Sequence, residues 1–213
     1  MGAVIDWVNR LLGRKKPVVI DKENLQAVMF AQLACHYYAT ARFAMYARRD
    51  LVCGVLFHDA IEMALKGGLA RKRGLGELSY LGHNLKALWR AFKQDFPNSD
   101  LDKHTKTIST LNKAEEIRYP GTEGSIAIHL EWSGVPAPTE TFGGFGTPKQ
   151  YPLAVTDIDE LFAYIFWAAS WNPIHFMNLG NPAASEAIRL FNNQSEYLTG
   201  QPKLTSNPAL PRS

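Results

Sequence analysis

Apolar residues recur at helical spacing along most of this chain. From Lys22 to Arg48, the residues Leu25, Val28, Met29, Leu33, Tyr37, Phe43 and Tyr46 give a first long helix apolar character on most of its sides. Asp50 then offers an N-cap for a second helix reaching to about Leu69, where Gly67-Gly68 and the basic turn Arg71-Lys72-Arg73-Gly74 are expected to end it. Leu51, Val52, Val55, Leu56, Phe57, Ala60, Ile61, Met63, Ala64 and Leu65 leave this helix almost no solvent face. Its one polar interruption is the row His58, Glu62, Lys66, spaced four apart and therefore stacked along one side. A third helix starts at Gly82-His83-Asn84-Leu85, carries the stripe Leu85, Leu88, Trp89, Phe92 and Phe96, and stops at Pro97. Asp100 can cap a fourth, with Leu101, Ile108 and Leu111 inward and an exit at Arg118-Tyr119-Pro120-Gly121.

The period changes after that. Ile126-Ala127-Ile128-His129-Leu130-Glu131-Trp132 alternates apolar and polar positions, which predicts a strand. Ser133 to Pro152 is rich in Gly and Pro and reads as a loop or irregular hairpin. Helical spacing resumes with Thr156 as N-cap and the acidic first turn Asp157, Asp159, Glu160, and this helix is expected to run to Asn172. A sixth helix, capped by Asn181 with Pro182 in its first turn, reaches about Leu198. The expected architecture is all-α: an antiparallel helical bundle of four to five helices, a strand/loop insertion at 122–155 before the last bundle helix, and an extra C-terminal helix. Residues 22–198 form the bundle, and 199–213 a flexible tail. Residues 1–21 form an N-terminal arm in which Ile5, Val8 and Leu12 precede Arg14-Lys15-Lys16-Pro17. The arm docks on the body or a partner, or else lies on a membrane surface.

Composition narrows the class. Of 213 residues, 46% are hydrophobic and 20% charged, values of an ordinary folded domain with a real core. A net charge of +3 does not by itself argue for nucleic acid. Its distribution is uneven: ten Lys/Arg face four Asp/Glu between Arg42 and Lys93, whereas three face five from Tyr151 onward. Cys35 and Cys53 both fall in apolar helical patterns and read as reduced, buried thiols. No secretory signal is expected, and the longest apolar run, Leu161 to Trp171, is too short to span a bilayer. A cytoplasmic protein without a membrane span is the expectation.

The His58, Glu62, Lys66 row has two readings: an intrahelical Glu62–Lys66 pair with His58 above it, or a site facing a cleft or a second copy. His58 and Glu62 could both reach one metal ion, but carboxylate-bridged bundles use Glu-x-x-His pairs and none occurs here, so no metal is expected. His83 can pack over a helix start or face an anion bound there, and Asn84 suits the N-cap. Arg118 either complements a helix dipole or grips a phosphate, with Tyr119 stacking on a base or sugar. Phe142-Gly143-Gly144-Phe145-Gly146 is a surface loop or a pair of stacking aromatics. Phosphate-binding loops, dinucleotide fingerprints and Gly-x-Ser-x-Gly elbows are missing from the sequence, and no cofactor is expected.

The order of these signatures resembles the HEPN domain (higher eukaryotes and prokaryotes nucleotide-binding). The residues that carry the resemblance are Arg48-Arg49-Asp50, Leu56-Phe57-His58-Asp59-Ala60-Ile61-Glu62 with Leu65-Lys66, Gly82-His83-Asn84-Leu85 and Ile117-Arg118-Tyr119-Pro120. Tyr151-Pro152 with Thr156-Asp157-Ile158-Asp159 extends it, so that roughly residues 24–172 are covered. The resemblance implies an antiparallel bundle of four or five helices, usually dimeric, often paired with a minimal nucleotidyltransferase and frequent among RNA-cleaving toxins and defence effectors. Its catalytic members carry an Arg followed by His after four to six residues. Here Arg118 meets no histidine before His129, and Asn84 replaces the usual Asp of the Gly-His-Asp-Leu motif.

The leading expectation is therefore a nucleotide- or RNA-binding module, non-catalytic or weakly catalytic. It would act as a homodimer or with a nucleotidyltransferase-type partner, in a toxin–antitoxin or defence setting. Its binding residues would be Arg118, Tyr119, His83, Asn84, His58, Glu62 and Lys66. The alternatives are a metal-independent ribonuclease with a rearranged site drawn from Arg118, His83 and His58, and a purely structural interaction bundle.

Overall fold

The computed structural model describes residues 22–46, 49–73, 75–97, 99–114, 126–131, 149–171 and 176, and these form an all-α helical bundle. Helix α1 spans Lys22–Tyr46 and α2 spans Asp50–Ala70. A short α3, Leu75–Leu81, leads to α4, Leu85–Asp95. A 3-10 turn at Ser99–His104 runs into α5, Thr105–Leu111, and α6 covers Val155–Ala168. Strands β1, Ile126–Glu131, and β2, Lys149–Ala154, make a two-stranded sheet, and β2 continues directly into α6. The expected arm at 1–21, the Arg118-Tyr119-Pro120-Gly121 exit, the Phe142–Gly146 segment, the sixth helix and the tail at 199–213 all lie outside the described residues.

Helix α2 is the axis of the bundle. It packs along the length of α1, and α4, α6 and β1 close over its other sides. That placement explains its composition. Cys53, Phe57, Ala60, Ile61, Ala64, Leu65 and Leu69 are fully or almost fully buried, so a helix with neighbours all round needs no polar face. Helix α1 is also apolar all round, yet it is covered on one side only. Leu25, Met29, Leu33 and Phe43 stand on its outer face, with Met29 59% exposed.

Several local expectations need correction. Gly67-Gly68 does not end α2 but lies inside its last turns, where the glycines permit close approach. A Cβ on Gly68 would stand 2.6 Å from Cε2 of Phe92, and one on Gly67 would stand 3.0 Å from Trp171 and 3.3 Å from the carbonyl of Ala27. Because Phe92 is fully buried and cannot swing away, Gly68→Ala is expected to cost about 1–3 kcal/mol through overpacking. A melting midpoint equal to that of the unaltered protein would show that α4 shifts freely against α2.

Asp50 is the first helical residue, with Arg49 in the cap position. Asp100 lies within the 3-10 turn, where it accepts a hydrogen bond from the Tyr164 hydroxyl at 2.9 Å, and does not cap a long fourth helix. Thr156 sits in the first turn of α6, whose cap position is Ala154. That helix ends at Ala168 rather than Asn172. Ser170 takes a left-handed φ of 57°, its N–H bonds Trp167 O at 2.8 Å, and the Trp171 N–H bonds Phe166 O at 2.7 Å. This double closure, with the Trp171 and Phe166 rings 6.0 Å apart, is a Schellman termination made without glycine. The predicted strand at 126–132 forms over Ile126–Glu131, but Lys149–Ala154 is a strand too and pairs with it in parallel, from Ile126 beside Lys149 to Glu131 beside Ala154. Parallel pairing rules out the hairpin reading.

The basic turn after α2 is used for construction. Arg71 donates to the carbonyl of Ala169 and lies over the Trp171 ring at 5.3 Å. Lys72 donates to the carbonyl of Asp95 and covers the Phe96 ring at 4.2 Å. Arg73 grips the Asp95 carboxylate through Nε at 2.6 Å and a terminal nitrogen at 2.8 Å. Three cations thus tie the end of α2 to the C-terminal ends of α4 and α6, where helix dipoles favour them. Cys35 and Cys53 are buried and unbridged, and burial pushes the Cys35 thiol well up. Among the described residues, no helix is long and apolar enough to cross a membrane.

Candidate functional site

The polar row of α2 does not face open solvent. His58 and Glu62 are completely buried, and each stands on a helix enclosed by its neighbours. An isolated buried carboxylate is expensive, and Glu62 is compensated from two directions. Lys66, one turn along α2, donates to Oε1 at 2.7 Å. His83, from the turn before α4, places Nδ1 3.0 Å from Oε1 and 3.1 Å from Oε2. His58 approaches from the other side, its Nδ1 3.9 Å from Glu62 Oε2 and 3.4 Å from Asp59 Oδ1.

Local geometry delivers His83 to this carboxylate. Gly82 adopts φ +56°, a left-handed conformation that costs a side-chain-bearing residue about 1–2 kcal/mol, and so turns the chain out of α3. Asn84 then caps α4, its side-chain oxygen accepting from the Ala87 N–H at 3.1 Å. His83 is held between a left-handed glycine and a helix cap. Its side chain remains 69% exposed although one nitrogen rests on a buried acid, whereas that of Lys66 is only 13% exposed. With Nδ1–H donating to Glu62, the tautomer is set and Nε2 lies across the ring, available to a ligand.

The sequence offered His58, Glu62 and Lys66 as one row and His83 with Asn84 as a separate feature. The fold merges them around Glu62, with Asn84 occupied as a cap. Asp59 joins through His58; the only trace in the sequence was its adjacency to that histidine. Arg118 and Tyr119 lie outside the described residues.

A second buried polar group escaped the sequence reading. Tyr38 donates to Asp159 Oδ1, and an Arg42 terminal nitrogen lies 3.3 Å from Oδ2, all three side chains being buried between α1 and α6. Burial pushes the Asp159 carboxyl up to about 6, with Arg42 and Tyr38 pulling the other way. The signal available beforehand was an Arg and an Asp set singly into apolar helix faces. Nearby, His104 is also buried, and that burial lowers it to about 4 against the opposing pull of Glu160.

Comparison with protein-family models, with curated proteins and with solved structures finds no match to this chain.

Proposed function

We propose that this chain is a HEPN-like bundle that binds a nucleotide or RNA phosphate at the His83–Lys66–Glu62 surface, as a binding module with little or no catalytic turnover. The observation that carries this reading is an exposed histidine held by a fully buried glutamate. The carboxylate fixes the ring, so that Nε2 meets a ligand without losing rotamer freedom. Glu62 is itself neutralised by Lys66, so the patch does not repel an anion as a bare carboxylate would. The order of motifs along the chain supports Arg118 and Tyr119 as further ligand contacts. The outward apolar face of α1 supports assembly as a homodimer or with a nucleotidyltransferase-type partner, since an apolar row on a surface helix marks an interaction face.

A second reading is favoured by the same hydrogen bond. A carboxylate behind Nδ1 is the arrangement that orients histidine as a general base, which suits a metal-independent ribonuclease.

One experiment separates the two. Labelled single-stranded RNA is run on native and denaturing gels with the wild-type chain, His83→Ala and Arg118→Ala. The module reading expects an intact, shifted band whose affinity falls by about 1–3 kcal/mol in each variant, as for loss of a charge-assisted hydrogen bond. Cleavage that disappears in His83→Ala would turn the conclusion to the ribonuclease. RNA neither shifted nor cut, with nucleotides also unbound, would sink both readings and leave a structural bundle.

A further inference from the structure

Four side chains with metal-ligating atoms converge where the sequence offered two. The donor atoms of His58, Asp59 and Glu62 all lie within 4.8 Å of one another. His83 adds an imidazole nitrogen 3.0 Å from Glu62 Oε1, and it comes from a different element, the turn before α4. An ion with bonds of about 2.1 Å holds tetrahedral donors about 3.4 Å apart. The His58–Asp59 separation is 3.4 Å and the His58–Glu62 separation 3.9 Å, so sub-ångström shifts would close the set.

We propose that His58, Asp59, Glu62 and His83 form a binding site for one divalent first-row transition-metal ion, Zn²⁺ fitting the donor set best. Two imidazoles with two carboxylates suit a borderline ion, while Mg²⁺ and Ca²⁺ prefer all-oxygen surroundings. His58 and Glu62 are buried on a helix locked by its neighbours, so the ligands are held rather than gathered. His83 closes the site from its exposed side and provides the way in.

The ion competes with groups already on Glu62. His83 Nδ1 must release its hydrogen to ligate, so uptake liberates a proton and weakens as pH falls. Lys66, now 2.7 Å from Oε1, must swing away toward solvent. The ammonium therefore acts as a built-in competitor, and its removal should strengthen binding while loss of any ligand weakens it. The inference does not rest on the nucleotide reading, because uptake is measured with no nucleic acid present.

The test uses the full chain, stripped with chelator and titrated with Zn²⁺ by calorimetry, with elemental analysis after dialysis. The expected result is about one ion per chain, affinity at least about tenfold weaker in His83→Ala and Glu62→Gln, and tighter in Lys66→Met. His83 is exposed, so its variant keeps the test decisive even if Glu62→Gln fails to fold, and metal-free melting curves identify that failure. Zn²⁺ uptake unchanged in His83→Ala, or missing from both the wild-type chain and Lys66→Met, would overturn the proposal.

Discussion

Asp159→Ala is expected to lower the free energy of unfolding by about 3–5 kcal/mol at pH 7. The carboxylate faces Arg42 at 3.3 Å and accepts the Tyr38 hydroxyl, and none of the three side chains has water as an alternative partner. Removing the anion keeps a buried guanidinium and a buried phenol in place without the acceptor they were built around, which is where the large cost of breaking a buried pair arises. The surroundings offer no relief: Tyr38 is stacked on Phe162 at 4.5 Å and meets Phe57 edge-on at 5.9 Å, so its hydroxyl cannot turn elsewhere. Urea unfolding of wild type, Asp159→Ala and the triple replacement Tyr38→Phe, Arg42→Met, Asp159→Leu checks the argument. The triple variant should be more stable than the single one, since it leaves no polar group behind. A loss below about 1 kcal/mol in Asp159→Ala, the size of a surface ion pair, would mean that the network is wet.

Stability between pH 4 and 6.5 is expected to carry two opposed contributions. The Asp159 carboxyl titrates at about 6 when folded against 3.8 otherwise, so the folded protein holds a proton there that the unfolded chain has released. That contribution is fully present below pH 3.8 and is lost as pH rises through about 6. His104 behaves in the reverse sense. It is lowered from 6.5 to about 4, so its contribution is present above pH 6.5 and is lost as pH falls through about 4. Each shift corresponds to about 2–3 kcal/mol, and the windows overlap almost completely. The two therefore offset each other in the native chain, and single variants should reveal them. Asp159→Asn should lose stability toward acid more steeply than wild type, and His104→Gln should lose it toward neutral pH. The Glu160, Lys103 and Asp100 charges around His104 are retained in both variants, which makes the slopes comparable. Parallel stability profiles for the three proteins would refute the assignment of either group.

Much of the bundle was legible because periodicity reports burial directly. The starts of α1, α2 and α4, the stripe Leu85, Leu88, Trp89, Phe92 and the cap at Asn84 all follow from residue spacing and side-chain chemistry within one turn. Misreadings came where a residue's usual role is overridden by a neighbour distant in sequence. Gly67-Gly68 has the chemistry of a helix stop, but Phe92 and Trp171 need the space that a Cβ would fill. Ser170 terminates α6 in a conformation that sequence assigns to glycine, stabilised by the Trp171–Phe166 contact. Lys149–Ala154 carries Pro152 and follows a Gly-rich stretch, so its strand character comes from pairing with β1 rather than from its own alternation. The site divides in the same way. The Glu62–Lys66 pair is a local consequence of spacing four along a helix, whereas the grip of Glu62 on His83 spans 21 residues and exists only once α4 docks on α2. Counting charge was least informative, because Arg71, Lys72 and Arg73 are engaged with carbonyls, rings and Asp95.

The Tyr38–Asp159 hydrogen bond has a consequence in time as well as in energy. It joins residues 121 apart in the chain, while the α1–α2 hairpin closes through a turn of three residues. Local pairings form first because they close short loops, and the α6 contribution arrives after the longest one has been closed. Asp159 thus belongs to the last part of the molecule to lock, and its loss would leave the folding rate nearly untouched while hastening unfolding. The buried triad sets how long the native state lasts, more than how quickly it is reached.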